Sequence, residues 1–201
     1  MTEAMLLKML GLITEDEGRR LAELAAWVPE EEAIVEIGSH RGLSSCWLIH
    51  GSRLGHGAHV TCIDPWPLYG TEVTDPDEPW AEEGALERWS KNVDAISGWP
   101  MVTPLRSTAQ AVAATWAKPV GLLFHDADHS YQAVVDDYRA WLPYLAPGAW
   151  IAVHDFYGSN WVDGGWVRDG TEQLAVRDVV LTSGQWSDIT IVGNLWTGRR
   201  S

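Results

Sequence analysis

Basic residues and cysteines are scarce in this chain. Its 201 residues include 14 lysines and arginines against 28 aspartates and glutamates, which gives a formal net charge of −14. A surface with so much negative charge repels the phosphates of nucleic acids and of anionic membranes, so we expect neither as a partner. The two cysteines, Cys46 and Cys62, lie in apolar segments and are too few for a disulfide framework. We expect both to be buried free thiols, which fits the reducing cytoplasm.

Long hydrophobic runs are also missing. No apolar segment reaches the roughly 20 residues that a membrane-spanning helix needs. The segment 1–18 is interrupted early by charges and glycine and has no small-residue cleavage site, so we do not expect a signal peptide. With 46% hydrophobic and 21% charged residues, the composition is typical of a folded globular protein. We therefore predict a cytoplasmic protein, and homo-oligomer formation is left open.

Short apolar runs alternate with amphipathic segments along the chain. Strands are predicted at 33–37, 59–64, 101–105, 120–124, 150–153, 188–192 and 195–197. Helices are predicted at 4–10, 16–27, 44–54, 81–96, 108–116, 130–145 and 171–181. This alternation predicts an α/β fold of the Rossmann-like, doubly wound type. We expect a seven-stranded, mostly parallel sheet with one antiparallel edge strand and helices on both faces.

Polar residues follow five of the predicted strands at their C-terminal ends. In doubly wound sheets, ligands bind beyond the carboxyl ends of the strands. We therefore expect these polar residues to converge on one rim of the sheet, where they would form the binding site. They are Glu36–Gly38, Asp64, Ser107, His125–Asp126 and His154–Asp155.

The turn after the first strand carries two glycines, Gly38 and Gly42. The first permits a tight turn, the second permits a ligand to approach the backbone, and the next helix offers free N–H groups to an anion. A plain strand-to-helix turn would need the same glycines. Their spacing is not the G-x-G-x-x-G of dinucleotide-binding folds, which disfavours an NAD-dependent oxidoreductase. A non-catalytic nucleoside-binding module on the same fold is another alternative.

Acidic residues and histidines cluster after the second, fourth and fifth strands. Asp64 could accept the two ribose hydroxyls of a nucleoside, or it could serve as a turn residue. The stretch from His125 to Tyr131 and the pair His154-Asp155 offer oxygen and imidazole ligands that suit Mg²⁺ or Mn²⁺. Helix capping by Asp128 or Ser130 would explain part of this stretch. Alternatively, His154 would pair with a neighbouring carboxylate and make a metal unnecessary.

Five segments together carry a family resemblance. They are Glu36-Ile-Gly-Ser-His-Arg-Gly-Leu-Ser44, Cys62-Ile-Asp-Pro-Trp66, Phe124-His-Asp-Ala-Asp-His-Ser-Tyr131, Leu145-Ala-Pro-Gly148 and Val153-His-Asp155. In this pattern the chain resembles class I S-adenosylmethionine-dependent methyltransferases. More narrowly, it resembles the small-molecule O-methyltransferase branch that includes macrolide-sugar and cephalosporin-tailoring enzymes. The resemblance implies an N-terminal helical extension, 1–29, and an S-adenosylmethionine-binding methyltransferase domain, 30–201.

The resemblance also implies a role for each motif. Asp126, His154 and Asp155 would hold a divalent metal, although the family commonly has Glu-Asp where this chain has His154-Asp155. His129 would be the general base, and Asp126 would act with it in catalysis. Within the cofactor site, Asp64 would bind the ribose and Ser107 would lie near the adenine. The cofactor-binding residues would be Glu36, Gly38, Ser39, Gly42, Ser44, Asp64, Ser107 and Asp126.

The chemistry of methyl transfer agrees with these residue types. The reaction is an in-line displacement, for which an enzyme chiefly supplies orientation. An acceptor hydroxyl must also lose its proton, which calls for a base such as histidine, and a cation would assist this step. We therefore expect O-methylation of a sugar, a phenol or another small natural product. The tryptophan-containing segments 65–80 and 156–170 leave the rim and are expected to cover the acceptor, unless their rings fill the core.

Overall fold

A computed structural model describes residues 3–66, 84–157, 160–162, 165–167 and 170–201, with the backbone alone at 160–162 and 165–167. The strands in these ranges fall into one large sheet and one short pair. They are β1 (Ala33–Ile37), β2 (His59–Asp64), β3 (Val102–Arg106), β4 (Val120–His125), β5 (Leu145–Val153), β6 (Asn160–Val162), β7 (Gly165–Val167), β8 (Trp186–Val192) and β9 (Leu195–Arg200).

The large sheet has seven strands in the order β3-β2-β1-β4-β5-β9-β8. Strands β1 to β5 are parallel, and β9 pairs antiparallel with both β5 and β8. This confirms the predicted fold class, with the single antiparallel strand lying next to the edge strand β8. The strand order reverses between β1 and β4, which is where a doubly wound sheet opens its binding crevice. Strands β6 and β7 form a separate antiparallel pair inside the predicted loop 156–170.

Helices flank the sheet in the sequence positions that the periodicity predicts. They are α1 (Glu3–Leu6), α2 (Glu15–Ala26), α3 (Leu43–Leu54), α4 (Ala85–Ala95), α5 (Ala109–Ala113), α6 (Tyr131–Trp141) and α7 (Thr171–Ala175). Two 3₁₀ turns, Trp99–Met101 and Leu142–Tyr144, precede β3 and β5, and a π-helical turn, Val176–Val180, continues α7. Within the ranges that the structure describes, no helix combines the length and the apolar character needed to cross a membrane.

The segment around Pro147 and Gly148 differs from the prediction. The pattern predicts a helix that ends at this Pro-Gly pair, whereas α6 ends at Trp141 and β5 already begins at Leu145. The pairing of β5 with β4 shifts register in this region, so the Pro-Gly pair lies at an irregularity inside the strand. Proline is tolerated at such a position because the regular ladder is already interrupted there.

The alternation of side chains along the central strands explains why helices cover both faces. In β4, Phe124 belongs to an apolar cluster with residues of α2, α3 and α4. Its neighbour Leu123 belongs to a second cluster with residues of α5 and α6. Because successive strand residues point to opposite faces, a strand that is buried on both sides must read as a continuous apolar run. This is the pattern from which the parallel sheet was predicted.

Helix α2 is packed into the first of these clusters through Leu21, Leu24 and Ala25. Its N-terminus forms a capping box, in which Thr14 Oγ1 accepts from the N–H of Glu17 and the Glu17 carboxylate accepts from the N–H of Thr14. The same carboxylate accepts the N–H of Asn194, in the β8–β9 turn, over 2.7 Å. The boundary between an extension, 1–29, and the domain stays a prediction.

Glu17 makes the stability of the contact between α2 and the β8–β9 turn depend on pH. Its carboxylate also lies 3.5 Å from Nε2 of His154. Burial opposes ionisation, but the contacts with His154, Thr14 and Asn194 outweigh it and lower the pKa of Glu17 from 4.5 to about 2. A group whose pKa is lower in the folded state contributes stability above its unfolded pKa and loses that contribution as the pH falls through the folded pKa.

We therefore predict that Glu17→Gln lowers the free energy of unfolding by about 2–3 kcal/mol at neutral pH. The difference from the wild type should be complete above pH 4.5 and should shrink as the pH falls towards 2. Urea unfolding at a series of pH values measures it. Glu23→Gln, which removes a half-exposed carboxylate from the same helix, controls for the loss of one negative charge. A stability loss that does not vary with pH would contradict the assignment.

Candidate active site

Backbone hydrogen bonds continue past the ends of the central strands and hold the predicted rim together. The N–H of Gly38 donates to the carbonyl of Ile63 over 2.9 Å, and the N–H of Asp126 donates to that of Ile37 over 2.9 Å. The N–H of His154 donates to the carbonyl of His125 over 3.0 Å. The residues that follow β1, β4 and β5 are therefore fixed in register, as expected for the carboxyl edge of a parallel sheet.

Glu36, in β1, is a fully buried carboxylate at this rim. The hydroxyls of Ser39 and Ser45 donate to its Oε2, whereas Oε1 has no hydrogen-bond partner among the described residues. Burial raises the pKa of Glu36, and the hydroxyls of Ser44, Ser45 and Ser39 oppose this shift. A buried carboxyl oxygen without a donor is costly unless a ligand supplies one. The position therefore fits a cationic or N–H-bearing ligand.

Asp64, at the end of β2, braces the turn that contains the glycines. Its Oδ2 accepts the N–H groups of Ser39 and His40 over 3.0 and 2.9 Å, and its Oδ1 accepts the N–H of Trp66 over 2.7 Å. His40 and Trp66 both have positive φ, 43° and 29°, which is costly for residues other than glycine. Asp64 thus holds two strained residues in place. An ionised carboxylate has about four acceptor positions, so Oδ1 retains capacity for a ribose hydroxyl.

The fold itself accounts for both glycines of the turn. A Cβ atom at Gly38 would lie 1.9 Å from the carbonyl oxygen of Asp126, and Gly38 has a φ of 85°. A Cβ atom at Gly42 would lie 2.6 Å from the Trp89 ring. Gly42 is also the N-cap of α3, and the serines that follow it, Ser44 and Ser45, do not cap the helix. They lie buried in its first turn, where Ser45 donates to Glu36.

Three side chains after β4 and β5 converge, as predicted. Nδ1 of His154 lies 3.2 Å from an oxygen of Asp126 and 3.5 Å from an oxygen of Asp155. One ligand atom from each of the three residues lies within 4.8 Å of the others. On the other side of the imidazole, the Glu17 carboxylate faces Nε2. Burial opposes protonation of His154, but these carboxylates outweigh it and raise its pKa well above the usual value.

His129 lies beside this group of three. Its Nε2 is 3.5 Å from Asp155, and its Nδ1 is 3.3 Å from Oε1 of Glu172, in α7. Burial opposes protonation, but the hydrogen bond to Glu172 and the charges of Asp126 and Asp155 raise the pKa of His129. The nearby Asp128 is different, because it is exposed and accepts the N–H of Ser130 over 2.7 Å. This contact is a local turn and not a helix cap, since Ser130, the N-cap residue of α6, makes no side-chain cap, and it accounts for Asp128 but not for His129.

Two buried glutamates belong to the site although their sequence context does not mark them. Glu17 is recognisable only as part of a capping box, and Glu172 only as an acidic residue in the first turn of a short helix. Asn194 is a third addition, because its side-chain amide donates to Asp155 over 2.7 Å. Asp155 has a φ of 49°, and this hydrogen bond helps to hold it in that conformation. The partners of these residues are distant in the sequence, so no local pattern could have shown them.

Two further predicted residues lie at the β2–β3 end of the rim. Ser107 is half-buried just beyond β3, and its N–H donates to the carbonyl of Asp64 over 3.2 Å. Trp66 is a core residue, since its ring is 1% exposed and lies 5.6 Å from that of Trp89. It therefore does not cover an acceptor. Residues 67–80 of that predicted acceptor segment lie outside the described residues, as do the side chains of 158–169 in the other segment.

Comparisons with known proteins identify the family of the chain. A family model described as a methyltransferase domain matches residues 35–156. A protein from Corynebacterium glutamicum has a similar structure, with a TM-score of 0.69 and 19% identity over 100% of this chain and 91% of that chain. The O-methyltransferase from Bacillus cereus in complex with S-adenosylhomocysteine is also similar. Its TM-score is 0.65 and its sequence identity is 18%, over 99% of this chain and 87% of that chain.

A third similar structure is CalS11, a TDP-rhamnose 3'-O-methyltransferase of calicheamicin biosynthesis. Its TM-score is 0.62 and its identity 16%, over 90% of this chain and 76% of that chain. At identities this low, the structural likeness shows the fold, while the family model covers more than half of the chain. The chain therefore belongs to the class I S-adenosylmethionine-dependent methyltransferases.

Proposed function

We propose that this methyltransferase methylates a hydroxyl group of a small molecule, with His129 as general base and a divalent cation held by Asp126, His154 and Asp155. The observation that carries the proposal is the position of His129, whose imidazole lies 3.5 Å from Asp155 at the edge of the three-residue group. A base and a cation site side by side are what the deprotonation of a hydroxyl requires. S-adenosylmethionine, when bound, supplies a methyl group activated by the positive sulfonium.

The rim offers suitable groups for this cofactor. Glu36 presents a buried oxygen without a donor, and the amino group of the methionine moiety would supply both a donor and a positive charge. Asp64 would accept a ribose hydroxyl through Oδ1 while its Oδ2 keeps the turn in place. Ser39 and Ser44 would line the same turn, and Ser107 would lie on the adenine side.

Glu36→Gln tests the cofactor assignment. The substitution keeps the shape of the side chain and an acceptor for the two serine hydroxyls but removes the charge. Because a hydrogen bond to a charged group contributes about 1.5–3 kcal/mol, we expect the affinity for S-adenosylhomocysteine to fall about 10- to 100-fold. Titration calorimetry measures this, with NAD as a ligand that should not bind. Glu32→Gln, which removes a carboxylate close to Gly121 near the opposite ends of the strands, is the control. An equal affinity in Glu36→Gln and in the control would contradict the assignment.

The charge balance favours a cation at the group of three. In and around it, five carboxylates contact three imidazoles, and two negative charges remain even if all three imidazoles are protonated. The carboxylates are those of Glu17, Asp126, Asp137, Asp155 and Glu172, and the imidazoles are those of His125, His129 and His154. No lysine or arginine pairs with these carboxylates in the described part of the chain. Two carboxylates side by side repel each other unless a cation or proton lies between them. Imidazole is an acceptable ligand for Mn²⁺ and less so for Mg²⁺, so Mn²⁺ is the better probe.

We predict that the protein binds Mn²⁺ and that Asp126→Asn and Asp155→Asn each weaken this binding about tenfold or more. Asparagine tolerates the positive φ of position 155, so the second variant keeps its backbone. Asp128→Asn removes a nearby exposed carboxylate that only caps a turn and should bind Mn²⁺ like the wild type. Calorimetry with Mn²⁺ alone needs no acceptor. Failure of the wild type to bind, or equal binding by all variants, would remove the cation from the proposal.

A small acceptor is supported by the composition and by CalS11. The net charge of −14 disfavours nucleic acids and anionic membranes. CalS11 acts on a nucleotide-linked sugar, according to its description. A sugar or phenol hydroxyl has a pKa far above neutrality, so it reacts only if its proton is removed as the new bond forms. Of the two imidazoles that contact Glu172, His129 is partly exposed, whereas His125 is completely buried.

His129→Ala should reduce the rate of methyl transfer about 10²- to 10⁴-fold, the usual contribution of a general base. The affinity for S-adenosylhomocysteine should stay unchanged, because the proposal assigns His129 to the acceptor and not to the cofactor. The assay is the transfer of labelled methyl from S-adenosylmethionine to a panel of nucleotide sugars and phenols. His56→Ala removes an exposed imidazole before β2 and is the control. If His129→Ala keeps its full rate, His129 is not the base; if no acceptor is methylated, the non-catalytic alternative gains support.

A further inference from the structure

Glu172 is a completely buried carboxylate surrounded by three polar groups. Its Oε1 lies 3.3 Å from Nδ1 of His129 and 3.6 Å from Nδ1 of His125, and its Oε2 accepts the hydroxyl of Tyr138 over 3.2 Å. Removing a carboxylate from water costs several kcal/mol. Such a placement is stable only if nearby groups compensate for the lost water. His129 and Tyr138 are within hydrogen-bond distance of Glu172, whereas His125 is near enough only for a charge interaction.

We propose that Glu172 is a positioning residue that accepts the Nδ1–H of His129 and so leaves Nε2 as the basic nitrogen. This inference rests on the proposed role of His129 as general base. Nε2 is the nitrogen that faces Asp155 and the proposed cation site, 3.5 Å away. A carboxylate that binds one imidazole nitrogen fixes both the tautomer and the orientation of the ring. Only this tautomer presents a lone pair to a hydroxyl held near Asp155.

The geometry separates this role from a purely structural one. His125 has a closer carboxylate partner, Asp137, at 3.1 Å from its Nε2. Glu172 is nearer to His129 than to His125, and the described structure shows no contact between Asp137 and His129. The Tyr138 hydroxyl occupies the second oxygen of Glu172, so the carboxylate cannot turn away from His129 without losing that hydrogen bond. Glu172 and Asp137 therefore form a matched pair: both carboxylates lie close to an imidazole nitrogen of His125, but only Glu172 also contacts His129.

The experiment uses the tautomer of His129 as its readout, which requires no acceptor. Protein with ¹⁵N-labelled histidine rings is examined by long-range ¹H–¹⁵N correlation spectra at a pH where the ring is neutral, and His129→Asn assigns the signal. In the wild type we expect the proton on Nδ1. In Glu172→Gln a mixture should form, and in Glu172→Ala the proton should lie mainly on Nε2, the nitrogen preferred by an isolated histidine ring. Asp137→Asn should resemble the wild type. A wild-type ring protonated on Nε2, or an unchanged tautomer in both Glu172 variants, overturns the proposal.

Kinetics then show whether the tautomer matters for the reaction. We expect Glu172→Gln to lower kcat about 10- to 100-fold, as is usual when the partner of a functional histidine is removed, with unchanged affinity for S-adenosylhomocysteine. In a His129→Ala background, Glu172→Gln should cause no further loss, because the two residues act as a unit. A full loss that persists in this background overturns the proposal. Full activity of His129→Ala alone would instead contradict the base assignment and, with it, the catalytic part of this inference. Thermal melting of the Glu172 and Asp137 variants shows whether each is folded.

Discussion

The rim of this sheet depends on one electrostatic constraint: carboxylates that are withdrawn from water need a positive group or several donors close by. Each of three imidazoles meets this need for at least two carboxylates within 3.6 Å. His125 lies between Asp137 and Glu172, His129 lies between Glu172 and Asp155, and His154 contacts Glu17, Asp126 and Asp155. Shared partners join these pairs into one connected network. In each case the carboxylates raise the pKa of the imidazole despite its burial.

This network also determines which elements have to be in place for the site to form. Glu17 comes from α2, Glu172 from α7, and the two aspartates from the ends of β4 and β5. Asn194, in the β8–β9 turn, binds both Glu17 and Asp155. The antiparallel hairpin at the edge of the sheet therefore has a function beyond extending the sheet. It connects helix α2 to Asp155, the residue that lies between the proposed base and the proposed cation site.

Most of the fold could be predicted from the sequence, because it follows from local patterns. Mostly apolar runs of five or six residues gave β1 and β2 their observed bounds, since a strand covered on both faces has few polar positions. The rim residues followed from the same patterns, because parallel strands end on one edge. The register irregularity of β5 was not predictable. The preceding helix ends earlier than expected because a 3₁₀ turn that contains Pro143 follows Trp141, and proline interrupts an α-helix.

The remaining site residues depend on contacts between distant parts of the chain. Glu172 and His129 are separated by 43 positions, and Glu17 and Asn194 by 177. Sequence spacing shows Glu17 correctly as a capping residue but cannot show that the same carboxylate faces His154. Similarly, Trp66 follows a strand end, where aromatic residues often contact ligands, yet its indole N–H donates to the carbonyl of His40 and its ring fills the core. Only the packing of α4 against the turn, through Trp89, decides between these outcomes.

The histidine at position 154 and the glutamate at position 17 have to be considered together. An acidic residue at 154 would face Glu17 in addition to Asp126 and Asp155. Such a group of carboxylates would repel one another unless a cation or a proton lay between them. With histidine, a proton balances part of the charge when no cation is present, so the rim stays folded. If a cation bound here as proposed, it would have to displace the proton from Nδ1, and Glu17 would hold the Nε2–H so that Nδ1 could serve as a ligand.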